Sequence, residues 1–406
     1  MSPNKSIILL GAHPLNKGFI KYAKDRNYDL IVIDWSERGN LFPGCKFILS
    51  DIKSCSLLEL LDPDLNLAFA YTSSDVASVN VSKINKNFGL GFSDPDAINS
   101  VVKKSSLQAI WRDCGLLTRT TYIFSKLFYP TPHDFEFQKF LLKNGIVIKP
   151  SDQASSRDVF IFENPGDYEI KKNVLYKLLQ KYDSDILIEQ YIDGVEYSIE
   201  MIVDKNGNVD VWPIGQKFKS QFNSNKSVSV KVVYNPPLDK ELSSRIMNFS
   251  RRCAEASGIR NSLLHLEVIL SDNGEIHPIE MGCRSTGFVG SDLLDIVSNV
   301  GYLDTFYSVL RGNDLCGCNV RANDMTSVYF FYDFPRDFSP NIGSDDSNFW
   351  LSSEFKTHYF SSDFSKNMSH IDDSNKIFYR ILSIPKSSYS ADMLLRVERD
   401  LLEYLA

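Results

Sequence analysis

Two glutamates inside an apolar β-hairpin are the residues with the clearest chemical potential. Leu263-Leu264-His265-Leu266-Glu267-Val268-Ile269-Leu270 reads as a strand carrying two ionisable side chains in an apolar run. Asn273-Gly274 supplies the signature of a two-residue type I′ turn, and the chain returns through Glu275 to Glu280. Counting outward from such a turn, Glu267 faces Glu280 and His265 faces Gly282, with the glutamate Cβ atoms roughly 5 Å apart. The same count makes Ile269 and Pro278 a non-hydrogen-bonded pair, where the missing proline N–H costs no bond. Opposed like charges in an apolar strand need neutralising, either by a shared proton or by a hard divalent cation with oxygen ligands. Arg284 shares the parity of Glu280 and so reaches the same face. Two carboxylates beside an arginine suit a metal ion and a phosphoryl group in transfer.

The elements that must hold this hairpin follow from periodicity. An apolar run at 6–10, a helical stretch from Gly18 to Lys24 and a second apolar run at 29–34 form a βαβ unit, with a further strand at 67–71, so the chain opens as a parallel α/β sheet. The first loop, Gly11 to Gly18, lacks the GxGxxG spacing. Asp34 closes the second strand where a dinucleotide-binding acid would sit, but the loop points to a βαβ unit without dinucleotide. A helix at 103–114 leads to Gly115, strands follow at 146–150, 186–189 and 197–203, and Asn206-Gly207 marks a second tight hairpin. The chain closes with a strand near 377–384 and an amphipathic helix at 391–404.

The chain has 406 residues, of which 43% are hydrophobic and 23% charged, and its formal net charge is −7. That describes a soluble globular protein of two or three domains, poorly suited to nucleic acid. No apolar run approaches the ~20 residues of a membrane span. The seven cysteines are scattered without a CxxC pair; Cys316 and Cys318 are spaced wrongly for a zinc knuckle. A reduced, cytoplasmic setting is expected.

From His265-Leu266-Glu267 through the Asn-Gly turn to Ile279-Glu280-Met281-Gly282-Cys283-Arg284, the sequence resembles the ATP-grasp superfamily of carboxylate–amine ligases, in its biotin-carboxylase-like and L-amino acid ligase-like branch. The hairpin looks like that family's strand pair ending in Glu-x-Asn-x-Arg, and the similarity extends over roughly residues 100 to 312. It implies an α/β ATP-grasp fold: a Rossmann-like parallel-sheet domain at 1–98, an ATP-grasp domain at 99–315 with a small lid at about 118–190, and a C-terminal α+β segment at 316–406 completing the core.

Residue by residue, the resemblance implies an ATP site. Lys104, 11 residues before Gly115, is similar to the first ATP-binding lysine, and Lys149 to the second, on the α- and β-phosphates. The loop 151–158, with Ser155 and Ser156, resembles the mobile phosphate cover, although Ser155 and Asp158 stand where glycines are common. Glu189-Gln190-Tyr191-Ile192 looks like the adenine hinge, with the Glu189 and Ile192 backbones on the base, and Glu196 like the ribose-binding acid. Glu267 and Glu280 would ligate magnesium, as one or two ions with manganese as a substitute. Arg284 would grip the transferring phosphoryl group. Gly282 replaces a metal-binding asparagine, a gap that His265 or water would fill.

The implied reaction phosphorylates a small carboxylic acid, an amino acid first among them, and couples the acyl phosphate to an amine or amino acid, releasing ADP and phosphate. Bicarbonate activation of the biotin-carboxylase type and a non-catalytic ATP-binding regulator are the alternatives; no biotinyl carrier segment is present. His13, Lys217 and Asp292 are further candidates for substrate contact. The partners are small carboxylates and amines, with a homodimer as the family-level expectation.

Overall fold

The computed structural model describes residues 4–12, 16–36, 44–117, 119–126, 135–154, 156–219, 229–287, 290–315, 320–331, 356–360, 379–395 and 399. His13, Ser155, Cys316, Cys318 and most of the C-terminal helix expected at 391–404 lie outside them; residues 391–395 are helical.

Apolar runs without polar interruption become the buried strands of a parallel sheet, because crossover helices cover both faces. β1 (Ser6–Leu10), β2 (Asp29–Asp34), β3 (Lys46–Leu49) and β4 (Leu67–Tyr71) pair in the order β3-β2-β1-β4, with α1 (Lys17–Asp25) and α2 (Ser78–Asn87) as covering helices. Asp34 is committed inside this unit: its carboxylate accepts from the Ala12 amide at 2.5 Å and from the Ser36 amide at 2.8 Å. An acid already bonded to two backbone N–H groups braces the first loop and leaves the dinucleotide reading without its ribose contact.

Next come α3 (Pro95–Val102) and α4 (Lys104–Asp113). Asp94 caps α3 by accepting from the Asp96 amide, with Pro95 at the first helical position, where its missing N–H is no loss. β5 (Thr121–Phe124), α5 (Phe135–Lys143), β6 (Ile146–Pro150), β7 (Phe160–Phe162), α6 (Tyr168–Lys181) and β8 (Ile186–Gln190) then form a small antiparallel sheet, ordered β5-β8-β6-β7, around its own apolar core.

The large antiparallel sheet contains β9 (Gly194–Val203), β10 (Val209–Val211), β11 (Gly215–Lys219), β12 (Ser229–Tyr234), β13 (Ser262–Ser271), β14 (Ile276–Gly282), β15 (Met325–Phe331), β16 (Lys356–Phe360) and β17 (Tyr379–Pro385). Its order is β14-β13-β9-β11-β12-β15-β17-β16, with β10 against β9. One face, through Ile199, Met201, Leu264, Leu266 and Val268, packs on α3, α4 and α7 (Lys240–Ser257). Farther along the other face, Ile202, Val232 and Leu263 join the N-terminal sheet, α8 (Gly290–Val297) and α9 (Tyr302–Leu310) in a second core. Among the described residues no helix is long and apolar enough to cross a membrane.

Both Asn-Gly hairpins depart from the two-residue turn expected of them. Gly274 has φ +83° and Gly207 φ +90°, but neither Asn273 nor Asn206 has positive φ, which a type I′ turn requires. The Gly274 amide donates to Ser271 O and the Ser271 amide to Glu275 O; the Gly207 and Asp204 amides repeat the pattern with Asp204 O and Asn208 O. Each is a three-residue loop whose glycine supplies the left-handed step. In the second, the Asp204 carboxylate accepts from the Asn206 and Asn208 amides and preorganises that geometry.

The register near the turn is therefore shifted by one: Val268, not Ile269, pairs with Pro278, and Ile269 pairs with His277. A bulge between Glu267 and Val268, with Ile279 as the extra residue, shifts it back. Beyond the bulge Glu267 faces Glu280 and His265 faces Gly282.

Candidate active site

The polar side chains that gather on one face of the large sheet are set by strand alternation. Glu267 lies opposite Ser198 and His265 opposite Glu200 on β9, while Lys217 on β11 lies opposite Glu196. Every second residue of β9 from Glu196 to Glu200 thus shares a face with His265, Glu267 and Lys217.

Their charges are neutralised within the protein rather than by a shared proton. Lys217 Nζ is 2.6 Å from Glu267 Oε1 and also contacts Glu196, whose other oxygen is 2.5 Å from Lys219 Nζ. His265 bridges Glu200 at 2.6 Å and Glu267 at 3.2 Å. Burial works against the imidazolium, but the Glu200 and Glu267 carboxylates outweigh it and raise the ring to about 9. Burial likewise works against the Glu267 carboxylate, and Lys217 and His265 hold it well below the usual range. Glu280 is 3.1 Å from Lys104 Nζ, which also donates to the Gln153 carbonyl at 2.7 Å.

Lys104 owes its position to a cap supplied in trans. The Lys104 amide donates to Ser151 O at 3.1 Å and the Ser105 amide to Ser151 Oγ at 3.0 Å, so the residue just after β6 satisfies two orphan N–H groups of α4. Lys149, at the end of β6, is buried and 2.9 Å from Glu189 Oε2. Arg119 lies 3.0 Å from the other Glu189 oxygen, which Gln108 also contacts, and donates onward to the Pro278 carbonyl beside the bulge at 2.5 Å. Burial alone would raise the Glu189 carboxyl; Arg119 and Lys149 overcome it and lower it to about 2.

Arg284 meets the N-terminal sheet: its Nε is 2.9 Å from Oδ1 of Asp75, in the short turn after β4. Nearby, the Tyr71 hydroxyl at the end of β4 contacts Ser285 Oγ. The carboxyl edge of the parallel sheet, where α/β folds bind ligands, therefore abuts Arg284.

The expected residues thus divide into groups. Lys104, Glu280, Glu267 and Glu196 are linked through Lys217 and the facing strand pair. Lys149 and Glu189 form a second network joined to β14 by Arg119. Gln190 ends β8, and Tyr191 and Ile192 lead on towards β9, with the Gln190 amide on Thr120 O and the Tyr191 amide on Gly145 O, both at 2.9 Å. Ser156 and Asp158, in the loop after β6, both take left-handed conformations, with φ +56° and +54°; Asp158 is held by Lys181 at 2.6 Å and by Tyr182. Asp292 lies in the first turn of α8, where burial and Asp295 raise its carboxyl to about 7. Asp75, Arg119, Gln108 and Glu200 escaped the sequence reading. Only Glu200 carried a signal, since it shares Glu196's parity in the same strand.

Among the described residues no three acidic, histidine or cysteine side chains converge as a metal cage. Glu267 and Glu280, paired across β13 and β14, are the carboxylates that would hold a magnesium ion, which takes one or two carboxylates and draws its remaining ligands from phosphates and water.

A family profile described as "ATP-grasp domain" matches residues 142–292. A D-alanine–D-alanine ligase of Geobacter sulfurreducens is 24% identical over 177 residues, covering 42% of this chain and 53% of that protein, so the match spans about half the relative's length. Among solved structures, an L-amino acid ligase from Bacillus licheniformis superposes with a TM-score of 0.74 at 16% identity, covering 100% of this chain and 98% of the other. An N5-carboxyaminoimidazole synthetase from Staphylococcus aureus, complexed with ADP, gives 0.70 at 13% identity over 100% and 98%. At such identities the structural likeness establishes a common fold. The sheet order and the profile match agree with the fold class expected from the sequence.

Proposed function

We propose that the protein, whose residues 142–292 match an ATP-grasp domain profile and whose fold is shared with an L-amino acid ligase, is an ATP-dependent carboxylate–amine ligase, joining a small carboxylic acid, an amino acid first among them, to an amine or a second amino acid. The observation that carries this reading is the facing Glu267–Glu280 pair, with Lys104 and Lys217 against it and Arg284 two residues past the end of β14.

A carboxylate is a poor electrophile because oxide is a poor leaving group. Transfer of the γ-phosphoryl group of ATP to a carboxylate oxygen gives an acyl phosphate and ADP. The amine nitrogen then attacks the acyl carbon, the C–O bond to phosphate breaks, and an amide, phosphate and a proton result. The first step requires mainly positioning and charge neutralisation. Lys104 and Lys149 would lie along the triphosphate, the 151–158 loop with Ser155 and Ser156 would cover it, and the Glu189 and Ile192 backbones with Gln190 and Tyr191 would hold adenine. Glu196 would take the ribose hydroxyls. Glu267 and Glu280 would hold magnesium, which would supply positive charge against the triphosphate. Arg284 would stabilise the phosphoryl group in transfer.

The test is ADP release from the purified protein with Mg-ATP, screened against amino acids singly and in pairs, with hydroxylamine present to capture an acyl phosphate as its hydroxamate. Turnover that needs one carboxylate and one amine is the expected result. Absence of ATP binding would sink the reading.

A further inference from the structure

We propose that Asp75 is a positioning residue for Arg284: its carboxylate, delivered from the N-terminal sheet, fills the space that residue 282 leaves open by having no side chain. A Cβ added at Gly282 would overlap Asp75 Oδ1 and come within 3.2 Å of Arg284 Cγ and 3.3 Å of Nε. Gly282 does not have positive φ, so nothing in its backbone demands glycine. The demand comes from the carboxylate that already occupies the space. Position 282 faces His265 and lies two residues from both Glu280 and Arg284, so Asp75 puts an oxygen into the row from which the phosphoryl site is built.

The contact itself has the character of a holding pair. Asp75 Oδ1 and Arg284 Nε lie 2.9 Å apart, yet neither has an aligned hydrogen bond among the described residues, although both atoms are buried from solvent. The Asp75 carboxylate holds the guanidinium from one side, while Nη1 donates to the Ser285 carbonyl at 2.9 Å. Asp75 therefore aims Arg284 before substrate arrives.

The activity arm of the test rests on the ligase reading; the stability arm does not. In the stability arm, Gly282→Ala should lower the melting temperature by several degrees when Asp75 is present and leave it nearly unchanged in an Asp75→Ala background, because the added methyl then enters vacated space. Equal losses in both backgrounds would overturn the steric relationship. In the activity arm, Asp75→Ala and Asp75→Asn should each lower kcat by about ten- to a hundredfold, as expected for a misaimed group, with KM for ATP within about twofold. Wild-type kcat in both variants, or a loss expressed in KM for ATP alone, would overturn the positioning role. If no substrate supports turnover in the wild type, the function fails, while the melting cycle still decides whether Asp75 fills the space at Gly282.

Discussion

Lys217 Nζ sits 2.6 Å from Glu267 Oε1 and in contact with Glu196, so one buried ammonium serves two carboxylates on neighbouring strands. Removing a partner from such a cluster leaves uncompensated charge in a poorly solvated site, which typically costs 3–5 kcal/mol. Glu196 retains Lys219 and Glu267 retains His265, so the lower end applies.

Lys217→Met is accordingly expected to destabilise the protein by about 3 kcal/mol. A divalent cation between the glutamates would replace part of the missing charge. Mg-ATP should therefore raise the melting temperature of the variant more than that of the wild type. Equal shifts in paired melts would place the ion elsewhere.

Arg284→Ala is expected to slow turnover about 10²–10³-fold, the typical loss on removing one electrostatic donor to a reacting group. ADP affinity should change little, since the lysines assigned to the polyphosphate remain. Single-turnover kinetics beside equilibrium nucleotide binding separates the two quantities. A variant that turns over like wild type would show that Arg284 is misassigned.

Glu189 is held at about 2, against an ordinary value of 4.5, by Arg119 and Lys149 working against burial. A depressed carboxylate contributes stability that is complete above its unfolded pKa and lost as pH falls through its folded one. The stability gap between wild type and Glu189→Gln should be on the order of 3 kcal/mol near neutral pH and shrink between about pH 4.5 and 2. Denaturant unfolding at several pH values measures it, and a pH-independent gap would mean that shape rather than charge matters there.

Gly274→Ala should cost about 1–2 kcal/mol, because φ +83° is unfavourable for a residue with a Cβ and the added methyl would meet only Arg245 Nη2, at 3.9 Å. Asn273→Gly should bring no gain, since Asn273 does not have positive φ. Stabilisation by glycine at 273 would instead indicate the two-residue turn.

The facing glutamates were legible because strand alternation is local and two acids of matching parity in an apolar hairpin stand out. Their pairing was nevertheless reached through a turn the protein does not use: the three-residue loop shifts the register one way and the bulge at Ile279 shifts it back. The parallel opening sheet, read from apolar runs and Gly11, was equally clear. Asp75, Arg119 and Gln108 were not, because each meets its partner across 70 residues or more of chain and sits in an unremarkable local pattern. Single-sequence periodicity says which way a side chain faces, not what arrives from another sheet.

Ser151 joins the two expected phosphate lysines mechanically. It follows the strand that ends with Lys149 and Pro150, and its hydroxyl and carbonyl cap the helix that begins at Lys104. A displacement of the small sheet that retains these two bonds must carry both ammonium groups together. Positive charge would then enter or leave the nucleotide site as a geared pair, so polyphosphate capture would be an all-or-none event instead of a graded one.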